Sequence, residues 1–485
     1  MINAIILTFI IASALPYFLK KESQVRFGAV ISALVGTTLV LNLSLPVLFA
    51  KVPAWTSDFW ALDAFSALMA ALIVFVYLGA MLVSYRYIGH EYEEGVIDLF
   101  RVRMYFSLIN LFALSMIVTV LADNSLLVWL ALESTTLSST FLVGLYKKRT
   151  SIEAAWKYII LCSTGITLGL VGVLLANYSA HVIDPAHDIF ALSFFAQNAK
   201  MLSPEIIKWS FVFIFIGFGT KVGLVPMHAW LPDAHSKAPS PISAMFSGVL
   251  LNVALYVILR FKHIADGAIG SADWTNMFFL IFGMMSIILP ALALLIQDNY
   301  KRMLAYSSME HMGLIALAVS FPPLGLVAAF IHMIGHTITK SLLFFGAGEF
   351  LLKYKTTKID NIKGLMKTLP YSGTLFLLGI LAIIATPPTV LFSSEYLMFA
   401  GIFSKNWILA VVVLAALSLI AFAMLRLTID LLFRGGEDVT AEKEKWNITH
   451  TLMAAQLIVV VGLSFFLTRA SGLALIDSLV NTIKN

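Results

Sequence analysis

Fourteen apolar runs follow one another from residue 2 to residue 468, and no motif constrains the fold as strongly. They lie near residues 2–19, 27–49, 59–84, 104–122, 125–146, 154–177, 206–231, 240–261, 275–296, 300–320, 324–352, 370–403, 406–433 and 449–468. About 20 apolar residues wound as a helix cross the hydrocarbon of a bilayer. A helix also satisfies its backbone groups where no water is present. The expected fold is an all-α polytopic membrane protein of about fourteen spans. Of the 485 residues, 60% are hydrophobic and 12% charged, which leaves no room for a soluble domain. The largest hydrophilic pieces are Tyr85–Arg103, Tyr178–Glu205 and Lys353–Lys367.

Lysine and arginine set the expected orientation. Odd-numbered loops carry Lys20, Lys21, Arg26, Arg86, Arg101, Arg103, Lys147, Lys148, Arg149, Lys237, Lys301, Arg302, Lys353, Lys355, Lys358, Lys363, Lys367, Arg434, Lys443 and Lys445. Even-numbered loops carry chiefly Lys51, Lys200, Lys262 and Lys405. The positive-inside rule then places the odd loops in the cytoplasm and both termini outside, in a multi-pass protein of the cell (inner) membrane. The net charge of +5 fits this bias and implies no nucleic-acid partner. "INAIILTFIIASALPYFL" lacks a basic start and a cleavage site, so it reads as a retained span. The lone cysteine, Cys162, excludes an internal disulfide and an iron–sulfur cluster held by this chain alone. No nucleotide or redox motif occurs, so no cofactor is expected.

Polar residues deep in apolar runs are costly and tend to be functional. The candidates are Glu133, Lys221, Asn252, Glu310, His311, His332, His336, Lys340 and Glu395, with Lys157 and His228 as possible auxiliaries. Glu133 and Lys221 lie 88 residues apart, and Glu310 and Glu395 lie 85 apart. Pro226 follows the first pair's lysine, and Pro387–Pro388 precede the second pair's Glu395. Proline interrupts a helix, and paired proline-broken segments point to a transporter built from repeats. Pro226, Pro387 and Pro388 therefore mark expected helix breaks. A break beyond Lys221 would set carbonyls of partial negative charge near its ammonium.

Glu, Lys and His groups joined by water form a proton relay. Hydroxyls of Ser134, Thr135, Thr136, Ser138, Ser139 and Thr140 are expected to hold such water around Glu133. His332, His336 and Lys340 share one helix face over roughly 12 Å. A metal site is the competing reading of the His-x-x-x-His spacing. Lys340, next on that face, is no ligand at neutral pH, so no metal is expected. Plainer alternatives stay open. His311 and His332 suit ordinary interhelical hydrogen bonds, and Glu133, Lys221 and Glu395 suit fixed salt bridges. Asp63 suits a cap or a surface-helix partner, and Glu153 and Lys157 suit a helix-end ion pair. Asp298, Lys301 and Arg302 are expected to be solvated.

Several stretches resemble one family: "ALESTTLSSTFLVGLY…SIEAAWKYIILCSTG", "GFGTKVGLVPMHAWLPDAHSKAPSPISAMFSGVLLNVALY", "RMLAYSSMEHMGL" and "HMIGHTITKSLLFFGAG". They are similar to the antiporter-like proton-pumping subunits of respiratory complex I and its relatives. The resemblance covers roughly residues 59–433 and is closest to the hydrogenase-4 component F branch, of the group 4 energy-converting [NiFe] hydrogenase and formate hydrogenlyase systems. It implies two inverted five-helix repeats, with helices 7 and 12 broken. The corresponding division is residues 1–103 (three helices), 104–261 and 275–433 (the repeats), and 434–485 (a C-terminal helix). It implies that Glu133 and Lys221 form a coupled pair, with a continuation through His332, His336 and Lys340 to Glu395. Where relatives commonly carry lysine or histidine in helix 8, this chain has Asn252. The implied function is a proton-translocating membrane-arm subunit without a redox site of its own. Its implied partners are other membrane subunits and, through them, a peripheral [NiFe] hydrogenase or related redox arm. An Mrp-type Na⁺/H⁺ antiporter subunit, a complex I subunit and a structural scaffold are the alternatives. With its end at Asn485, the chain has no room for a long lateral helix, so a compact subunit packed against another is expected.

Overall fold

The computed structural model describes residues 1–57, 59–183, 190–435, 444–467 and 469–484. The main helices are α1 (Ile2–Phe18), α2 (Glu22–Leu48), α3 (Ala64–Glu93), α4 (Leu99–Leu121), α5 (Ser125–Val143) and α6 (Arg149–His181). They continue with α7 (Pro204–Val222), α8 (Trp230–Lys237), α9 (Ser240–Ile269), α10 (Asp273–Leu295), α11 (Tyr300–Val319) and α12 (Leu324–Tyr354). Last come α13 (Pro370–Ile383), α14 (Val390–Lys405), α15 (Trp407–Phe433), α16 (Ile448–Phe466) and α17 (Ala470–Lys484). Ten of these are long and apolar enough to cross a membrane. Adding α1, α11 and two broken spans, α7 with α8 and α13 with α14, gives the fourteen expected from the sequence. Lys443 and Asn485 lie outside the described residues.

Asp and Asn residues start several spans by accepting the orphan N–H groups of the first turn. Asp63 accepts from Ser66 N at 2.9 Å, Asp98 from Arg101 N at 2.8 Å, and Asn124 from Leu127 N at 3.0 Å. The ends differ from the hydropathy boundaries. α3 runs on to Glu93 and α6 extends from Arg149 to His181, because long charged side chains can leave the apolar zone while their backbone stays helical. α17 was not expected. Its buried Ile476, Leu479 and Val480 form one stripe, and the helix packs on α3, α9 and α12.

The most apolar stretch of α9 is wholly buried, against 28% of that of α15, so α9 is central and α15 peripheral. Glycines bring helices close, as is usual in membranes. A Cβ on Gly217 of α7 would lie 2.4 Å from Gly169 N and 2.7 Å from Gly165 O on α6. Spans 4–8 and 9–13 hold five helices each. Five crossings reverse the face from which the next set starts, so the second set is inverted relative to the first. The broken span is fourth in both.

Candidate functional site

Lys221 is fully buried at the penultimate position of α7. The helix stops at Gly223, whose φ of +80° is left-handed and suits glycine. The interrupted backbone is satisfied by protein groups: Trp230 Nε1 donates to Thr220 O at 2.8 Å, and Val225 N donates to Ser286 Oγ at 2.9 Å. The Lys221 ammonium donates to Thr136 Oγ1 of α5 at 2.9 Å and to Tyr158 OH of α6 at 2.7 Å. It also lies 4.8 Å from the Tyr158 ring centroid. Tyr158 OH shares a further 2.8 Å hydrogen bond with Ser139 Oγ.

Glu133 accepts from Ser163 Oγ at 2.6 Å, and its second oxygen is buried without a partner. It lies within Coulombic reach of Lys221. Among the described residues, however, Glu133, Lys221, Lys340 and Glu395 make no ion pair within 4.0 Å. The fixed salt bridges held open above are therefore not in this structure. The expected hydroxyl shell also differs. Ser134, Ser138, Ser139 and Thr140 bond carbonyls four residues back, and Thr135 bonds Leu132 O. A hydroxyl in an apolar helix takes the nearest acceptor, the preceding turn. Thr136 alone of the six turns to the lysine.

A second centre joins α11, α12 and α14. His311 Nε2 lies 3.4 Å from Glu310 Oε2, and His311 Nδ1 lies 2.9 Å from His332 Nε2. His332 Nδ1 lies 2.9 Å from Ser394 Oγ, beside Glu395. The Ser394 hydroxyl donates to Leu391 O at 2.8 Å, so it accepts from His332 Nδ1. His332 Nε2 is then the acceptor for His311 Nδ1–H, which leaves His311 Nε2 facing Glu310. The tautomers follow from the network. Each imidazole has both nitrogens engaged, so a proton received at one nitrogen can leave from the other. A ring nitrogen each of His311 and His332 and a carboxylate oxygen of Glu395 lie within 4.8 Å of one another. A cavity of about 30 Å³ separates Glu310 from Glu395, room for about one water. The His336 ring lies 5.4 Å from that of His311, with both nitrogens unpartnered. Lys340 donates to Leu304 O at 3.0 Å, and it is within Coulombic reach of Glu310.

Asn252 follows a π-helical turn, Phe246–Leu250, and donates to Thr337 Oγ1 at 2.9 Å and Gly248 O at 3.1 Å. It ties α9 to α12. Lys157 pairs with Glu153 at 2.7 Å and with Asp233 at 3.2 Å, and Arg302 binds Asp233 at 2.5 Å. His228 lies in the turn between α7 and α8, its Nδ1 buried without a partner. Pro226 lies in that same break, and Pro387 and Pro388 lie in the break between α13 and α14. Glu349, unexplained by the sequence, pairs with Arg86. A second expectation is overturned. Lys301 is not solvated but fully buried, and donates to Ala238 O at 2.6 Å. α11 starts at Tyr300, so Lys301 is already inside the bundle. Sequence reasoning also missed Tyr158 and His235.

The family model described as NADH:quinone oxidoreductase/Mrp antiporter, TM, matches residues 122–421. The chain belongs to this family. It is an antiporter-like membrane subunit of the group that includes complex I and complex I-related hydrogenases. The hydrogenase-4 component F homolog of Methylacidiphilum infernorum (isolate V4) is 38% identical over 369 residues, 76% of this chain and 77% of that one. Hydrogenase-4 component B of Escherichia coli (strain K12) is 31% identical over 447 residues. That match takes in 87% of this chain and 63% of the relative. The fold matches a chain in the structure of the membrane-bound sulfane sulfur reductase, an archaeal respiratory membrane complex. There the TM-score is 0.87 at 22% identity, over 99% of this chain and 96% of that chain.

Proposed function

We propose that this subunit carries protons through the membrane arm of a group 4 hydrogenase complex, along Glu133, Lys221, His336, Lys340, His332 and Glu395, with Glu310 and His311 as members. The observation that carries the reading is the chain from Glu310 through His311 and His332 to Ser394, in which each imidazole can take a proton at one nitrogen and release it at the other. A relay suits the first centre too: a buried lysine held only by hydroxyls can change charge without breaking an ion pair. The hydrogenase assignment rests on the likeness to hydrogenase-4 components. Residues 104–261 supply the first centre and 275–433 the second. The odd-numbered loops face the cytoplasm, on the lysine and arginine count.

Two measurements on the purified complex test this. Partner chains that co-purify are expected to include a [NiFe] hydrogenase. Vesicle proton uptake is expected to be independent of Na⁺; dependence on Na⁺ would favour the Mrp branch of the family. Lys355→Cys is expected to resist impermeant thiol reagents in intact cells, and its labelling would reverse the orientation.

A further inference from the structure

On the face formed by the odd-numbered loops, a cavity of about 480 Å³ opens among Lys148, Ser236, Lys237, Lys355 and Lys358. Its wall includes one buried carboxylate, Glu91 of α3. Glu91 Oε1 accepts from Tyr146 OH at 2.7 Å, and Oε2 is buried without a partner. A buried carboxylate oxygen with no protein donor is satisfied by a proton or by water. The carboxylate also makes this basic-rimmed cavity a poor anion site. Neither centre described above uses it.

The segment His235–Ala238 borders this cavity. Ser236 and Lys237 line the cavity. Ala238 O, next in the chain, accepts from the buried Lys301 ammonium at 2.6 Å. Lys301 is within Coulombic reach of Glu91. On the other side, His235 is fully buried with neither ring nitrogen partnered. Its ring stacks on Phe344 at 5.0 Å, one helical turn beyond Lys340. His235 is within Coulombic reach of both Lys301 and Lys340.

We infer that this cavity is a proton inlet: Glu91 takes protons from water in the cavity and feeds Lys340 through Lys301 and His235. This deepens the relay reading and rests on it. The step is a transfer of H⁺ from hydronium to carboxylate and onward to amine and imidazole. No electrons move.

The test uses the whole complex in vesicles, with native gels for assembly. Glu91→Gln is expected to lower proton uptake by roughly 10²-fold, the lower end of what a proton-transferring side chain contributes. Glu91→Asp, which keeps the acid, is expected to restore most of it. A merely structural Glu91 would instead be replaced well by the isosteric Gln, and full uptake by Glu91→Gln overturns the inlet. If that variant fails to assemble, access decides. In a Cys162→Ser background, Ser236→Cys is expected to react with a small impermeant thiol reagent from the odd-loop face, and the adduct to block uptake. Absence of labelling, or uptake undiminished after labelling, overturns the proposal. The two readings fail separately. Loss of uptake in Lys221→Met with normal uptake in Glu91→Gln removes the inlet and keeps the relay, whereas normal uptake in Lys221→Met removes the relay itself.

Discussion

Tyr158→Phe, made alone and on Lys221→Met, measures what holds the buried lysine. The Tyr158 hydroxyl sits between Lys221 Nζ at 2.7 Å and Ser139 Oγ at 2.8 Å. A hydrogen bond to a charged group contributes about 1.5–3 kcal/mol and a neutral one about 0.5–1.5. In the parent protein, Tyr158→Phe is therefore expected to cost about 2–4.5 kcal/mol, the sum of those two ranges. With methionine at 221, only the neutral bond to Ser139 is left to lose, and the cost is expected to fall to about 0.5–1.5 kcal/mol. The difference, about 1.5–3 kcal/mol, is the coupling energy of the cycle. Lys221→Met itself is expected to leave the complex assembled. It removes a desolvated charge that has no counter-ion within 4.0 Å, and Thr136 can turn its hydroxyl to its own helix. Thermal melting of the purified complex reads the stabilities, native gels read assembly, and vesicle uptake is expected to vanish in Lys221→Met. Equal cost of Tyr158→Phe in both backgrounds would refute the argument, because the hydroxyl would then serve no ammonium.

Glu395→Gln is expected to assemble and to block transfer in the second centre; undiminished uptake would contradict that role. Gly217→Ala is expected to cost about 1–3 kcal/mol by overpacking, read as a lower melting temperature, because the new Cβ meets the α6 backbone and not a movable side chain. Glu444 caps α13, accepting from Tyr371 N at 2.6 Å and Ser372 Oγ at 2.5 Å, with His450 Nε2 at 3.0 Å. Burial pushes its carboxyl up, but the hydrogen bonds from His450 and Ser372 outweigh this and hold it below its ordinary 4.5. A depressed carboxyl stabilises the fold above its unfolded value, and that stability is lost as pH falls through the folded value. The melting difference between the parent and Glu444→Gln is therefore expected to shrink on acidification below 4.5. A difference that grew on acidification would reverse this reasoning.

The spans were legible because hydrocarbon selects length and apolarity, which sequence displays directly. The breaks were legible for a related reason, since proline cannot continue the helix ladder. Lys221, His332 and Glu395 stood out as ionisable groups in apolar runs. Lys301 did not, because it lies beside Arg302 and Asp298 at a span's edge, and only packing shows that α11 carries it inward. Tyr158 did not either: aromatic residues are common in such helices, and its role depends on α5 and α7 meeting α6. His235 lies in a stretch singled out for its proline and lysine, and its isolation from hydrogen-bond partners is a property of three helices at once. α17 was missed because its apolar stripe is too narrow to register as a span, although the spacing of Ile476, Leu479 and Val480 is helical.

The nearly equal spacings of Glu133 to Lys221 and Glu310 to Glu395 suggest equivalent sites in the two halves, but the breaks show otherwise. Lys221 lies five residues before Pro226, at the C-terminal end of α7; Glu395 lies seven after Pro388, in the second turn of α14. Helical side chains lean toward the N-terminus, so Glu395 leans back toward its break. By the same lean the Lys221 ammonium points back from its break to Thr136 and Tyr158, so the first break has a cation on its carbonyl side and the second a carboxyl group on its N–H side. Each sign matches the helix dipole it meets, an effect of about 0.3–1 kcal/mol for Lys221 in the last turn of α7 and smaller for Glu395, one turn past the start of α14. Inverted repeats alone would place the same half-helix at both sites. Using the leading half in one and the trailing half in the other lets one fold hold an ammonium beside one break and a carboxyl group beside the other.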